Sequence, residues 1–178
     1  VPGEHISVMV DEVTHGLAPF DGGVYVDGTF GAGGYSEAIL KLAKCKVWGI
    51  DRDPLTQTYG EKLRQVYPRQ ITVLNGCFGD METLLGDVGI SSVDGIALDI
   101  GVSSMQIDDP CRGFSFRADG PLDMRMGATG LTAADVVNSF DEEKLANIIY
   151  NFGEERASRR IAHAISELRR TKEITSTG

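Results

Sequence analysis

The sequence predicts an α/β fold: a parallel sheet, followed by a segment of loop and helices. Three observations predict it. Short, wholly apolar runs recur between turn residues, as strands buried on both faces of a parallel sheet do. Helical spacing of apolar residues fills the intervals, giving the order β-α-β-α-β-α-β with right-handed crossovers. Three of the runs end in an acid, at Asp27, Asp51 and Asp99. Ligands in such sheets bind beyond the carboxyl ends of the strands. Those acids therefore mark the place to look.

The elements follow in order. Asp11 to Leu17 reads as a short helix ending near Gly16 or Pro19. Strand one is Val24–Asp27. Gly28, Gly31, Gly33 and Gly34 come directly after it, and an ordinary strand–turn–helix connection needs only one glycine. The helix beyond offers free N–H groups at its start. Ala38, Ile39, Leu42 and Ala43 form its expected apolar stripe. Strand two is Val47–Asp51. Asp53 is expected as an N-cap with Pro54 in the first turn, and Leu55, Tyr59, Leu63 and Val66 as the buried face of the next helix. Strand three is Ile71–Leu74, then a loop over Gly76–Gly79 and a short helix over Met81–Leu85. Strand four is Val93–Asp99.

The texture changes after Gly101. Ser103 to Arg125 is long, polar and without periodicity, as functional or disordered loops are. Arg112, Phe114, Phe116 and Arg117 interleave bases and aromatics, a pattern that stacks on nucleobases and holds phosphate; a pair of core plugs is the alternative for the phenylalanines. Helices then return. Thr132 caps Ala133–Asn138, and Ser139 with Glu142 reads as a capping box. Leu145, Ile148, Ile149 and Phe152 form a stripe stopped by Gly153; Ala157, Ile161, Ala164, Ile165 and Leu168 form the last one, with Arg159, Arg160 and Arg169 off it.

Composition narrows the classes. The net charge of −9 argues against nonspecific nucleic-acid binding by the whole surface. Basic residues nevertheless gather between Lys144 and Lys172, which permits a local basic face. No apolar run is long enough to cross a membrane and no secretory signal is visible, so a cytoplasmic protein is expected. Cys45, Cys77 and Cys111 are scattered, and with only His5, His15 and His163 beside them no metal site is expected. His5, without a metal partner nearby, is expected to be structural.

Two ligands suit a glycine loop with an acid after strand two: a dinucleotide and S-adenosylmethionine. The dinucleotide fingerprint G-x-G-x-x-G fails here on spacing. No Walker lysine follows the loop, which removes a P-loop nucleotidase. A ligand without phosphate is favoured. Asp51 would accept from ribose hydroxyls and Phe78 would lie against adenine. Acidic walls suit a cationic sulfur and an amino group.

Seven segments carry a resemblance to a known family. They are His5–Met9, Asp27–Gly34, Gly49–Pro54, Leu98–Gln106, Arg112–Phe116, Asp119–Met126 and Tyr150–Glu155. Over essentially the whole chain, in order, it resembles the bacterial RsmH (MraW) methyltransferases, which methylate N4 of a cytosine in 16S ribosomal RNA, and the wording is most like alphaproteobacterial members. The resemblance implies a Rossmann-like class I methyltransferase sheet, here partial, with a helical insertion domain. Residues 1–106 would be the cofactor domain and 107–178 an incomplete substrate-recognition domain. It implies cofactor contacts at Gly33, Gly34, Tyr35, Asp51, Phe78, Asp99 and Gln106; many members carry His where this chain has Tyr35. The partner implied is small-subunit ribosomal RNA or the 30S particle. Because the family continues past Gly178, the chain is expected to be an N-terminal portion, with strand four a bare edge prone to self-association.

The expected chemistry needs alignment of N4 with the methyl carbon and an acceptor for the amino protons. The Pro-Pro-aromatic signature of DNA amino-methyltransferases is missing after Asp99. Candidate acceptors are Asp99, Ser103 and Ser104, with Asp123 further off; Ser103 and Ser104 as loop-shaping residues, and Asp123 as a partner of Arg125, are the alternatives. A target base must leave its stack, and Phe114 and Phe116 are the expected platform. Two other readings compete: a cofactor-binding module without catalysis, and a nicotinamide-nucleotide oxidoreductase.

Overall fold

The computed structural model describes residues 7–178, so His5 and the first two residues of the His5–Met9 segment lie outside the described residues. The chain divides into two compact units, with the boundary between Met105 and Gln106.

The first unit is built on one sheet in the order β3-β2-β1-β4, all parallel. Its elements are α1 (Val10–Leu17), β1 (Val24–Asp27), α2 (Gly34–Leu42), β2 (Lys46–Asp51), α3 (Thr56–Val66), β3 (Ile71–Asn75), α4 (Met81–Gly86) and β4 (Gly95–Ala97). A short 3₁₀ turn, Phe78–Asp80, precedes α4. The α/β reading and the parallel order are borne out. Tyr25, Phe30, Ile39, Leu40, Val47, Ile71 and Val73 pack one face of the sheet, and Val26, Ile50 and Leu85 the other. Central strands apolar on both faces are the physical reason β1 and β2 could be read as strands at all.

Several expected details are corrected. On α2 the buried pair is Ile39 and Leu40, while Leu42 faces solvent; Ala43 lies past the helix end in extended backbone. Asp53 does not cap α3 directly. It opens a tight turn in which its carboxylate accepts the Leu55 N–H at 3.1 Å and its carbonyl the Thr56 N–H at 3.1 Å, so the helix starts at Thr56. The buried side of α3 is Thr56, Tyr59, Gly60 and Leu63; Leu55, just before the helix, and Val66, its last residue, are exposed. Strand four is shorter than expected. After Ala97 the Asp99 N–H turns to the Thr29 hydroxyl at 2.7 Å, which takes the backbone out of the ladder. Ile96, Leu98, Ile100 and Val102 are left exposed along this edge.

The second unit holds most of α5 (Ser104–Asp108), a 3₁₀ turn over Pro110–Arg112, α6 (Ala133–Ser139), α7 (Glu142–Gly153) and α8 (Ser158–Arg169). The capping box at the start of α6 pairs Thr132 with Asp135. Ser139 is not part of a second box. Its hydroxyl donates back to the Asp135 carbonyl, and α7 is capped by Asp141, which accepts the Lys144 N–H at 2.7 Å. Leu145, Ala146 and Ala162 form the small core, joined by Val136, Phe140, Ile149 and Ile165. The face of α8 is turned from the one expected: Ser158, Ala162 and Ser166 are buried, and Ile161, Ala164 and Leu168 are not. Small residues win that face because they let α7 and α8 approach closely. Arg169 is correspondingly turned inward, its guanidinium donating to the Val137 carbonyl at 2.7 Å. The residue that ends α7 in left-handed backbone is Glu154, not Gly153.

Candidate functional site at the carboxyl edge of the sheet

The glycine loop is held to the sheet at three points. Phe30 donates its N–H to the Ile50 carbonyl at 3.1 Å, and Gly33 donates to the Phe30 carbonyl at 2.7 Å. The Phe30 ring is buried against Gly33, Gly49 and Gly60. The third point is Asp51. Its Oδ2 accepts the Gly31 N–H at 2.8 Å and its Oδ1 the Asp53 N–H at 2.9 Å. Gly31 and Gly33 both take positive φ, 53° and 85°. A Cβ at Gly33 would lie 2.7 Å from Leu63 and 2.8 Å from Phe30, so neither conformation nor space admits a side chain. Gly33 sits at the N-cap position of α2 without a side-chain cap, leaving first-turn N–H groups for other partners.

Around this loop stand the other strand ends. Asp51 ends β2 opposite Asn75 of β3, and Asn75 and Gly76 both donate to the Asp51 carbonyl. Phe78 begins the turn after β3 and remains 38% exposed. Asp99 follows β4 and is exposed. The Tyr35 ring is buried. Its hydroxyl donates to the Val8 carbonyl at 2.6 Å and lies 3.5 Å from Asp99 Oδ2; burial, then the Asp99 charge, push its pKa up and keep it protonated. The Arg52 guanidinium is turned to Cys77 Sγ at 3.2 Å, and the Gly79 amide together with Arg52 holds that thiol below its usual range.

Asp27 is placed differently from the expected open carboxylate. It is 0% exposed, beneath the loop. Its Oδ2 accepts the Ser36 hydroxyl at 2.8 Å and the Ser36 N–H at 3.2 Å, while Oδ1 has no well-formed partner. Burial pushes its carboxyl up to about 6, against the Ser36 bonds that hold it down. The edge facing solvent thus carries Asp51 and Asp99, with Asp27 as a buried brace.

The second unit places its candidates as follows. Gln106 is buried, with Nε2 3.5 Å from the Met126 carbonyl. Ser103 and Ser104, still in the first unit, are half-buried where α5 starts. Asp123 makes a forked ion pair with Arg125, at 2.6 Å to Nη2 and 3.0 Å to Nε, and Arg125 holds its pKa down. A carboxylate so paired is a weak base, and this pair is the alternative set beside its role as an acceptor. Arg112 is likewise turned inward: its guanidinium donates to the carbonyls of Arg125 and Met126 at 2.9 and 3.2 Å. The Ser103–Arg125 segment is therefore neither structureless nor open throughout. Phe114 is half-buried, whereas Phe116 is 93% exposed and Arg117 is exposed beside it. Sequence reasoning missed Phe30, the plug that fastens the loop. The glycines opposite it in β2 and α3 were the available signal.

Among the described residues, no group of three or more His, Cys, Asp or Glu side chains is placed to hold a metal ion, and no helix is long and apolar enough to cross a membrane.

A parallel sheet in the order 3-2-1-4, with a glycine loop after β1 and acids after β2 and β4, defines a Rossmann-like α/β protein of the methyltransferase type. Its glycine spacing is not that of a dinucleotide enzyme. The chain belongs to the MraW methylase family, whose pattern matches residues 3–178. It is 61% identical over 176 residues to the Ribosomal RNA small subunit methyltransferase H of Rhodospirillum centenum, covering 99% of this chain and 54% of that protein. The protein of the same name from Rhodospirillum rubrum is 59% identical (93% of this chain, 51% of the relative), and that of Paramagnetospirillum magneticum 58% (99% and 56%). The chain spans about half the length of the curated relatives it matches.

Proposed function

We propose that this chain carries the S-adenosylmethionine site of a methyltransferase acting on N4 of a cytosine in small-subunit ribosomal RNA, in the cytoplasm. One observation carries the reading: the loop Gly28–Gly34, held by Asp51, presents the start of α2, where Gly33 gives no side-chain cap and Asp27 holds only the Ser36 N–H, between a partly exposed aromatic and two carboxylates. The donor set fits the ligand. Backbone N–H groups at Gly34 and Tyr35 face its methionine part, beside Gly33, whose own N–H is held by the Phe30 carbonyl. Asp51 takes the ribose hydroxyls on the lone pairs left after its two backbone bonds. Phe78 lies against the adenine, and Asp99 faces the amino group and sulfur. S-adenosylmethionine supplies a methyl group on a cationic sulfur.

The chain's own residues then have two tasks. Holding the amine in line with the methyl carbon is the larger, since alignment alone is worth several orders of magnitude. Accepting a hydrogen bond from the amino protons is the second, and Asp99, Ser103 and Ser104 are the groups for it. The first unit serves as the cofactor domain and the second, with exposed Phe116 and Arg117, as the RNA-reading part.

Titration calorimetry tests the cofactor. S-adenosylhomocysteine is expected to bind and NAD not to; the reverse would restore the oxidoreductase reading. Labelled methyl transfer to small-subunit particles then separates an active chain from a binding module without catalysis. The bare β4 edge, with its Ile96 47% exposed, favours self-association. Light scattering should show dimers or larger species, and a monodisperse monomer would remove that part of the proposal.

A further inference from the structure

We infer that the turn end of the α7–α8 hairpin is a second contact for single-stranded RNA, formed by Phe152 with Arg156, Arg159 and Arg160. This rests on the RNA reading above and adds a surface to it. Phe152, in the last turn of α7, is 85% exposed. After a connection of four residues, 154–157, the chain enters α8, whose first turn carries Arg159 and Arg160, both exposed, with Arg156 exposed in the connection.

The composition of that turn points outward. The first turn of α8 holds no acid, and its N-cap residue, Ala157, offers no side-chain cap. Two cations there oppose the helix's own positive end, where acids are the stabilising choice. An arrangement that works against the helix suits an anion from outside. The acids of the connection are Glu154 and Glu155. Glu155 Oε1 is engaged with the Ala157 N–H at 2.6 Å, and Glu154 forms the left-handed stop of α7. Three exposed arginines and an unburied phenylalanine at one end of the hairpin combine phosphate contact with a stacking platform, the pairing that holds single-stranded nucleic acid. The local basic charge of this turn, in a chain of net charge −9, complements the closely spaced phosphates of a polyanion at short range.

The test is binding of a short single-stranded RNA to the whole chain across a salt series. Arg159→Ala with Arg160→Ala should weaken binding about tenfold near physiological salt. The salt slope should fall by about 1.4, at roughly 0.7 for each phosphate no longer neutralised. Phe152→Ala should weaken binding about tenfold with the slope unchanged, as loss of one stacked base does. Arg159→Lys with Arg160→Lys should restore the slope. Circular dichroism and S-adenosylhomocysteine titration should match wild type in each variant. Unchanged affinity and slope would overturn the inference, as would a wild-type chain that binds no RNA. A change in oligomeric state in place of RNA affinity would assign the face to self-contact and overturn it too. Failure of S-adenosylhomocysteine to bind wild type would instead bring down the cofactor reading, whatever the RNA result.

Discussion

Asp51→Ala is expected to reduce affinity for S-adenosylhomocysteine by about a hundredfold or more. Both carboxylate oxygens hold backbone, at Gly31 and at Asp53, so the change strips two charge-assisted bonds from the loop before any ligand contact is counted. Bonds of this kind are worth roughly 1.5–3 kcal/mol each. Losing the ribose acceptor as well makes about 3 kcal/mol of binding a conservative figure, since each 1.4 kcal/mol is tenfold. Asp51→Asn is not a mild control. Whichever way the amide turns, an NH₂ meets one of the two N–H donors that the carboxylate now accepts. Calorimetry on both variants, with thermal melts to monitor the fold, checks the prediction. Wild-type affinity in the alanine variant would show that neither the loop nor the ribose depends on this carboxylate.

The second large effect is a pH-dependent cost at Asp27. Its carboxyl is raised from an ordinary 3.8 to about 6 by burial. The folded state therefore holds the proton more tightly than the unfolded chain does. The sign follows: the contribution favours folding below pH 3.8 and is lost as pH rises through about 6. At one pKa unit per 1.36 kcal/mol, ionised Asp27 costs about 3 kcal/mol at pH 8 and roughly half of that at pH 5. Asp27→Asn keeps an acceptor for Ser36 and cannot ionise. Urea titrations should show the stability difference, variant minus wild type, rising by about 1.5 kcal/mol between pH 5 and pH 8. Asp27→Ala should destabilise at both pH values, because the Ser36 N–H and hydroxyl lose their acceptor. A pH-independent difference for the asparagine variant would mean that Asp27 is ordinary in the folded state.

Strand–turn chemistry was legible in the chain because it is local. Val24–Asp27 appears with the expected bounds, and Thr132 caps α6 as expected. The acids after β2 and β4 reach the carboxyl edge because a parallel sheet leaves them nowhere else to go. Which face of a helix is buried was less legible. Leu42, Val66 and Phe152 all keep helical spacing with buried neighbours, yet each lies exposed at a helix end. Periodicity gives direction around a helix and says nothing of how far its neighbour extends. Arg112, Arg169 and Asp123 show the same limit for charge: each looked available to a ligand, and each is engaged within the protein.

The sequence by itself determined the order of elements, the glycine loop and the acids that follow β2 and β4, since these depend on backbone conformation and short-range apolar patterning. Only the tertiary structure decided that Asp27 is a buried brace, that Asp51 ties Gly31 to Asp53, and that Phe30 is the plug beneath them. Those roles are set by what lies across the sheet, and desolvation and hydrogen-bond partners are properties of that packing.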